Sequence, residues 1–184
     1  MAKNTDIRPT NANIYFLPVE MRVPLKFGPE IVTSVTCARI RMRVEDQAGE
    51  TAEGWGETPL SAQWVWPSTL SFEERNAVLK DFTLKLASAW RTFDQSGHPM
   101  EIGHAFQEQV LPRLHKEFNS NRENSEPMPW LGALVCCSAF DIALHDAYGV
   151  FHQKPVYETY NQHYMNQDLS HYLEPAQGSA LSFS

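Results

Sequence analysis

The sequence predicts an α+β fold in which a three-stranded antiparallel meander is followed by a three-helix bundle. One observation is the strict alternation between positions 38 and 45, where apolar residues take the even positions and charged residues the odd ones. Such alternation is typical of a half-buried strand. The other observation is the spacing of large apolar residues after Ser71, which recur three or four positions apart, as on one face of a helix.

Three strands are expected in the first third of the chain. The first is predicted over 14–23, and Pro18 within it favours an edge strand, because proline cannot donate a ladder hydrogen bond. The residues at 46–49 are typical of a turn, and a partner strand is predicted over 51–57. On that partner strand Gly54 and Gly56 share one face, which allows close approach of another backbone.

Three helices are expected in the remainder. Ser71 and Glu74 have the spacing of a capping box and predict a helix start. A second helix is predicted over 100–118, with a kink or break at Pro112. The third, over 130–148, is apolar on most sides and should be buried, ending at Gly149 as its cap. Beyond it, the stretch 169–173 predicts the beginning of a strand.

Composition narrows the class of protein. The 184 residues suffice for one domain, or for a domain and a fragment. A net charge of −7 argues against nucleic-acid binding, and the arginines at 39, 41 and 43 should lie on a solvated sheet face. The three cysteines have no framework or metal-site spacing, which favours a reducing compartment. No signal peptide and no apolar run of membrane-spanning length are expected, so a cytoplasmic protein without membrane contact is predicted.

Several motifs in order resemble one enzyme family. The strand end Gly54-Trp55-Gly56-Glu57 is followed by helices, by the pattern Ala139-x-Asp141-x-Ala143-Leu144-x-Asp146-x-x-Gly149, and by Pro155-Val-Tyr157. Together they resemble the N-terminal capping domain of the enolase superfamily, in the mandelate racemase and muconate lactonizing branch. The resemblance implies a capping domain over 1–160 and a tail over 161–184, which is a possible start of a truncated TIM barrel.

The resemblance also implies where the chemistry lies. Members of this family abstract the proton next to a carboxylate, with a lysine or histidine base and with Mg²⁺ bound by carboxylates of a TIM barrel. A barrel needs about 250 residues, and no lysine follows Lys154. The chain is therefore expected to have no catalytic residue, to bind no metal or cofactor and to lack turnover. Mg²⁺ is expected only in a full-length dehydratase, racemase or cycloisomerase.

The expected partners follow from the same resemblance. They are a TIM-barrel domain, missing or supplied in trans, and a small carboxylate substrate of the full-length enzyme. An apolar face of the third helix, left without its barrel, would favour homo-oligomers. Two alternatives stay open: a free-standing binding or interaction domain that kept the capping fold, and one chain of a split enzyme.

Two loops of such a domain border the substrate pocket. In this sequence they fall near Lys26 and Phe27, and near Trp64 and Trp66. Lys26 would neutralise a substrate carboxylate, and an exposed tryptophan would form a rigid, water-excluding wall. The competing interpretations are a solvated lysine and tryptophans that simply pack against the helices.

Two further clusters have the residue types of a metal site. Asp141 and His145 are one helical turn apart, with Asp146 beside them, and the resemblance favours a structural role at the junction of cap and barrel over metal binding. The second cluster lies in the tail, where a flexible segment is favoured over a metal site; it comprises His163, Tyr164, His171 and Tyr172.

Overall fold

The computed structural model describes residues 3–28, 30–122 and 125–179, except for the side chain of Phe27. Its sheet contains three strands, β1 (Arg8–Phe27), β2 (Glu30–Glu45) and β3 (Thr51–Pro59), in the order β1-β2-β3 with antiparallel neighbours. The predicted meander is confirmed. Pro18 lies on an edge strand, as expected.

The two faces of the sheet differ as the alternation predicted. Ile40, Met42 and Val44 are fully buried. On the opposite face Arg39 forms an ion pair with Glu57, with 2.6 Å between Nε and Oε2. The arginines therefore line a solvated surface. β2 also extends beyond β3, because the pairing of these strands begins at Cys37 opposite Pro59.

The described residues contain five α-helices: α1 (Ala62–Val65), α2 (Phe72–Arg91), α3 (Pro99–Gln109), α4 (Leu111–Ser120) and α5 (Trp130–His152). The capping box of Ser71 and Glu74 is present at the start of α2. The predicted second helix is split into α3 and α4 just before Pro112, which occupies the first turn of α4, where a missing amide is tolerated. The class is α+β, with α1 and this split added to the predicted helices.

Helix α5 forms the centre of the core. A Cβ at Gly54 would overlap the backbone of Ala147, and one at Gly56 would overlap that of Ala139, so the glycines let α5 lie directly on β3. At 23 residues α5 is long and apolar enough to cross a membrane by length and composition, contrary to the expectation that no run reaches that length. It lies against the sheet and α2, as the core helix of a globular fold does.

Two features predicted from the sequence are wrong: the end of the third helix and the strand over 169–173. α5 continues through Gly149 to His152 and ends at Gln153, whose φ of 53° is left-handed. Gly149 is instead needed for space, since a Cβ there would lie 2.9 Å from the carbonyl oxygen of Lys154. The stretch 169–173 forms a 3-10 helix, Leu169–His171, rather than a strand, because Asp168 accepts a hydrogen bond from the Ser170 amide and caps a turn.

The segment after α5 packs on the domain. A 3-10 helix, Val156–Thr159, follows α5 directly. Farther on, the Asn166 side-chain amide donates to Asp6 and to Glu101, both at 2.9 Å. Tyr164 is 9% exposed and its ring contacts Tyr148. The expectation of a flexible segment is therefore wrong for this part of the chain.

Candidate functional site

The four residues predicted to border a substrate pocket have different environments. Lys26 is exposed near the end of β1, opposite Ile31 of β2. Trp64 is 50% exposed on α1, whereas Trp66 is fully buried. The side chain of Phe27 lies outside the described residues. Trp64 thus has the exposure of a pocket wall, and Trp66 follows the competing interpretation of packing in the core.

A buried arginine joins the two predicted loops. Arg75, on the first turn of α2, is 3% exposed. Its Nη1 donates to the carbonyl oxygen of Trp66 at 2.7 Å, and its Nη2 lies 3.7 Å from Oε1 of Glu30. Since Glu30 begins β2 just after the β1–β2 turn, Arg75 holds the end of this hairpin next to the α1 segment.

Sequence reasoning missed Arg75 although a signal was present. Position 75 is four residues before Leu79, so it falls on the apolar stripe of α2, where a charged residue is unexpected. A buried guanidinium needs acceptors. Its carbonyl and carboxylate partners come from segments that are distant along the chain, so periodicity alone could not identify them.

Trp66 anchors a third segment to the same place. Its indole Nε1 donates to Oε1 of Glu126 at 2.7 Å. Hydrogen bonds from Ser68 and from Trp66 lower the pKa of Glu126, because both stabilise the charged carboxylate. Trp66 therefore fixes the α1 segment against the loop before α5, and this anchoring leaves Trp64 as the exposed tryptophan of the pair.

The acidic residues of α5 do not form a common metal site. Asp141 and His145 do share a face, with 3.7 Å between Oδ2 and Nδ1. Asp146 points elsewhere and accepts the backbone amide of Trp55 at 2.7 Å, which ties α5 to β3. Burial raises the pKa of Asp141, and His145 opposes that shift. Among the described residues no group of three or more His, Cys, Asp or Glu side chains is placed to hold a metal ion.

The tail residues are likewise dispersed. The rings of His171 and Tyr172 face His104 of α3, at centroid distances of 5.6 and 5.0 Å. Tyr164 packs instead against His152 at 5.3 Å. A cavity of about 380 Å³ lies between α3, α5 and this tail, lined by Met100, His104, Gln107, Asp141, His145, Leu169, Tyr172 and Leu173. Four of these side chains are polar or ionisable, namely His104, Gln107, Asp141 and His145, and the other four are hydrophobic or aromatic.

His98 is a buried histidine with a structural task. Its Nδ1 accepts the Met100 amide at 3.2 Å and caps α3, and its Nε2 lies 3.0 Å from Oγ1 of Thr159. Because Nδ1 is the acceptor, the proton resides on Nε2. Burial, with a smaller contribution from nearby His145, lowers the pKa of His98 to about 4. The imidazole is therefore neutral near pH 7.

Comparisons with known proteins give matches in structure alone. No protein-family model and no curated relative matches the chain. Similar crystal structures include a mandelate racemase/muconate lactonizing enzyme-like protein from Rubrobacter xylanophilus (17% identity, TM-score 0.40, 82% of this chain and 33% of that chain). A dipeptide epimerase from Enterococcus faecalis shares 14% identity with a TM-score of 0.46, and the match covers 84% of this chain and 35% of that chain. An L-talarate dehydratase from Polaromonas shares 13% identity with a TM-score of 0.37, and the match covers 78% of this chain and 32% of that chain. The chain thus spans about a third of the length of these proteins.

Proposed function

We propose that this chain is the capping domain of an enolase-superfamily enzyme that acts on small carboxylates by α-proton abstraction. Residues 1–160 form the domain, and 161–184 lead toward a TIM barrel supplied in cis or in trans. Lys26, Phe27 and Trp64 border the substrate pocket, and Trp66 holds that border in place. The protein would act in the cytoplasm.

The observation that carries this proposal is the junction at Arg75. It brings the β1–β2 hairpin and α1 to one end of the domain, each with an exposed side chain suited to a carboxylate substrate. Lys26 supplies a positive charge and Trp64 a rigid apolar surface. A loop pair joined by a buried arginine suits a specificity element, because a fixed wall loses little entropy when a ligand binds.

The described residues do not fit a magnesium site. Mg²⁺ prefers several oxygen ligands in near-octahedral geometry. The carboxylate of Asp146 is used by the Trp55 amide, and Asp141 faces an imidazole. We therefore assign the metal and the base to the barrel, and no catalytic step to this chain.

A chimera tests the proposal. This chain would replace the matching region of the L-talarate dehydratase from Polaromonas, ahead of that enzyme's barrel. Deuterium exchange at the α-carbon of a panel of small hydroxy acids would be followed by NMR with Mg²⁺ present. We expect exchange by the chimera, none by this chain alone, and a higher KM for the Lys26→Ala and Trp64→Ala chimeras.

The outcomes separate the alternatives. A chimera no more active than the bare barrel would contradict the proposal, provided that its melting curve shows a folded protein. Tight carboxylate binding by this chain alone would instead favour a free-standing binding domain. The Trp55→Ala chimera is the matched control, since Trp55 is 47% exposed but lies on the solvated sheet face.

A further inference from the structure

Among the described residues, one stretch of the sheet edge has no paired strand beside it. The edge strand β1 contains Pro9 and Pro18, which cannot donate a ladder hydrogen bond to a further strand. The outer edge of β3 is bound at the Trp55 amide by Asp146. β2 is covered by β3 only from Cys37 onward, so the stretch before that residue has a neighbour on one side alone.

The direction of the free backbone groups follows from one hydrogen bond. The Leu60 amide donates to the carbonyl oxygen of Thr36 at 2.9 Å, so Thr36 points to the β3 side. Alternate residues of an antiparallel strand point the same way. Glu30, Val32 and Ser34 therefore direct their N–H and C=O groups to the open side. Among the described residues no hydrogen bond reaches the backbone of Val32 or Ser34 from that side.

This edge lacks the residues that usually prevent association. From 31 to 38 the sequence is Ile-Val-Thr-Ser-Val-Thr-Cys-Ala, with no charge and no proline. Ile31 is 66% exposed, and Leu25, opposite Val32 on β1, is 53% exposed. The nearest acidic side chain, Glu30, is paired with the buried Arg75. Exposed apolar side chains thus accompany free backbone groups.

We propose that two copies of this chain associate through this edge, with Val32 of one copy opposite Val32 of the other in an antiparallel pair. The three free residues are symmetric about Val32, so a two-fold axis there satisfies all of them together. The same axis places Glu30 opposite Ser34 and Ile31 opposite Thr33, so no like charges meet. The Val32 side chain is 8% exposed and stays packed in its own copy, so the new contacts at the axis are those of the backbone, with the exposed Leu25 of each copy on the same face one strand away.

A second copy suits this edge better than an unrelated strand for a specific reason. The Thr36 carbonyl is already bound, so the free stretch is only Glu30–Ser34, and an identical stretch from a second copy matches it in length. Five residues per copy bury less than the roughly 800 Å² per partner of a standard interface. The dimer is accordingly expected to be reversible, with a dissociation constant in the micromolar range.

Two double variants at the same positions test the register. Ile31→Lys with Thr33→Lys places lysine opposite lysine across the proposed axis, whereas Ile31→Lys with Thr33→Glu places lysine opposite glutamate. Both positions are exposed, so both variants should fold and melt alike. By sedimentation equilibrium we expect a wild-type dimer at ~100 µM, and dimerisation about tenfold or more weaker in the Lys/Lys variant than in the Lys/Glu variant.

Three results would overturn the proposal: a wild-type monomer at ~100 µM, equal dimerisation of the two variants, or assembly beyond a dimer. Hydrogen exchange on the wild-type chain gives a readout that needs no variant. The Val32 and Ser34 amides should exchange more slowly as concentration rises, while the Thr33 amide, which faces β1, should not change. Exchange at Val32 that is independent of concentration would also exclude the dimer.

Discussion

The buried His98 makes the stability of this domain depend on pH in a defined interval. A histidine in the unfolded chain has a pKa of about 6.5, and burial lowers the pKa of folded His98 to about 4. Between these values the unfolded chain binds a proton at His98 that the folded chain does not. Its contribution to stability is therefore present above about pH 6.5 and is lost as the pH falls toward 4.

The size of the effect follows from the interval. Each pH unit between the two pKa values is worth about 1.4 kcal/mol, so His98 should lower the free energy of unfolding by ~3 kcal/mol across the interval. The physical cause is twofold. A protonated imidazole would have to be charged in a fully buried position, and its Nδ1 could no longer accept the Met100 amide.

The assay is urea unfolding followed by tryptophan fluorescence at several pH values from 7.5 to 4. The matched variant is His98→Asn, because asparagine accepts at a helix N-cap and does not titrate. The variant loses the Thr159 contact at every pH, so the informative quantity is how the difference in free energy of unfolding between the two proteins changes with pH. That difference should shrink by ~3 kcal/mol from pH 7.5 to 4. A difference that stays constant with pH would refute the reasoning.

Three further predictions concern the core. Gly56→Ala should destabilise the domain by about 3 kcal/mol in urea unfolding, because the new Cβ overlaps the backbone of Ala139, while Glu53→Ala on the same strand should have little effect. Asp146→Ala should cost about 1 kcal/mol by removing the charged acceptor of the exposed Trp55 amide, which water then solvates, and Asp146→Asn should cost less, since an amide oxygen still accepts. Burial raises the pKa of Cys136 to about 12, so a thiol reagent at pH 8 should label Cys136 only after unfolding; rapid labelling of Cys136 itself in the folded protein, located by peptide mapping, would contradict the burial.

The elements that the sequence predicted well are those set by local chemistry. Alternation fixed the faces of β2, the capping box fixed the start of α2, and Pro112 separated α3 from α4. Each of these depends on neighbours within a few residues. The strand β1 begins earlier than expected, at Arg8, because the polar residues at its start pair with the end of β2, as at Arg8 opposite Glu45.

The parts that could not be predicted depend on contacts between distant segments. Gly149 has the residue type of a helix cap, yet a glycine is needed there because the carbonyl oxygen of Lys154 leaves no space for a Cβ where the chain leaves α5. Trp64 and Trp66 are two positions apart and look equivalent in the sequence. Their exposures differ because Glu126, sixty residues beyond Trp66, accepts the indole hydrogen bond of that residue alone.

Two ionisable groups of the core are each held in one protonation state by the fold. Proton transfer in catalysis requires a group that is free to change its protonation state near the working pH. His98 is held neutral as a helix cap, and the Cys136 thiol is buried at a raised pKa. Near the Arg75 junction two side chains are exposed: Lys26, which carries a positive charge, and Trp64, which offers an apolar surface. In the enzyme proposed above, these two side chains would contribute to substrate binding and orientation, and the base and the metal would belong to the barrel.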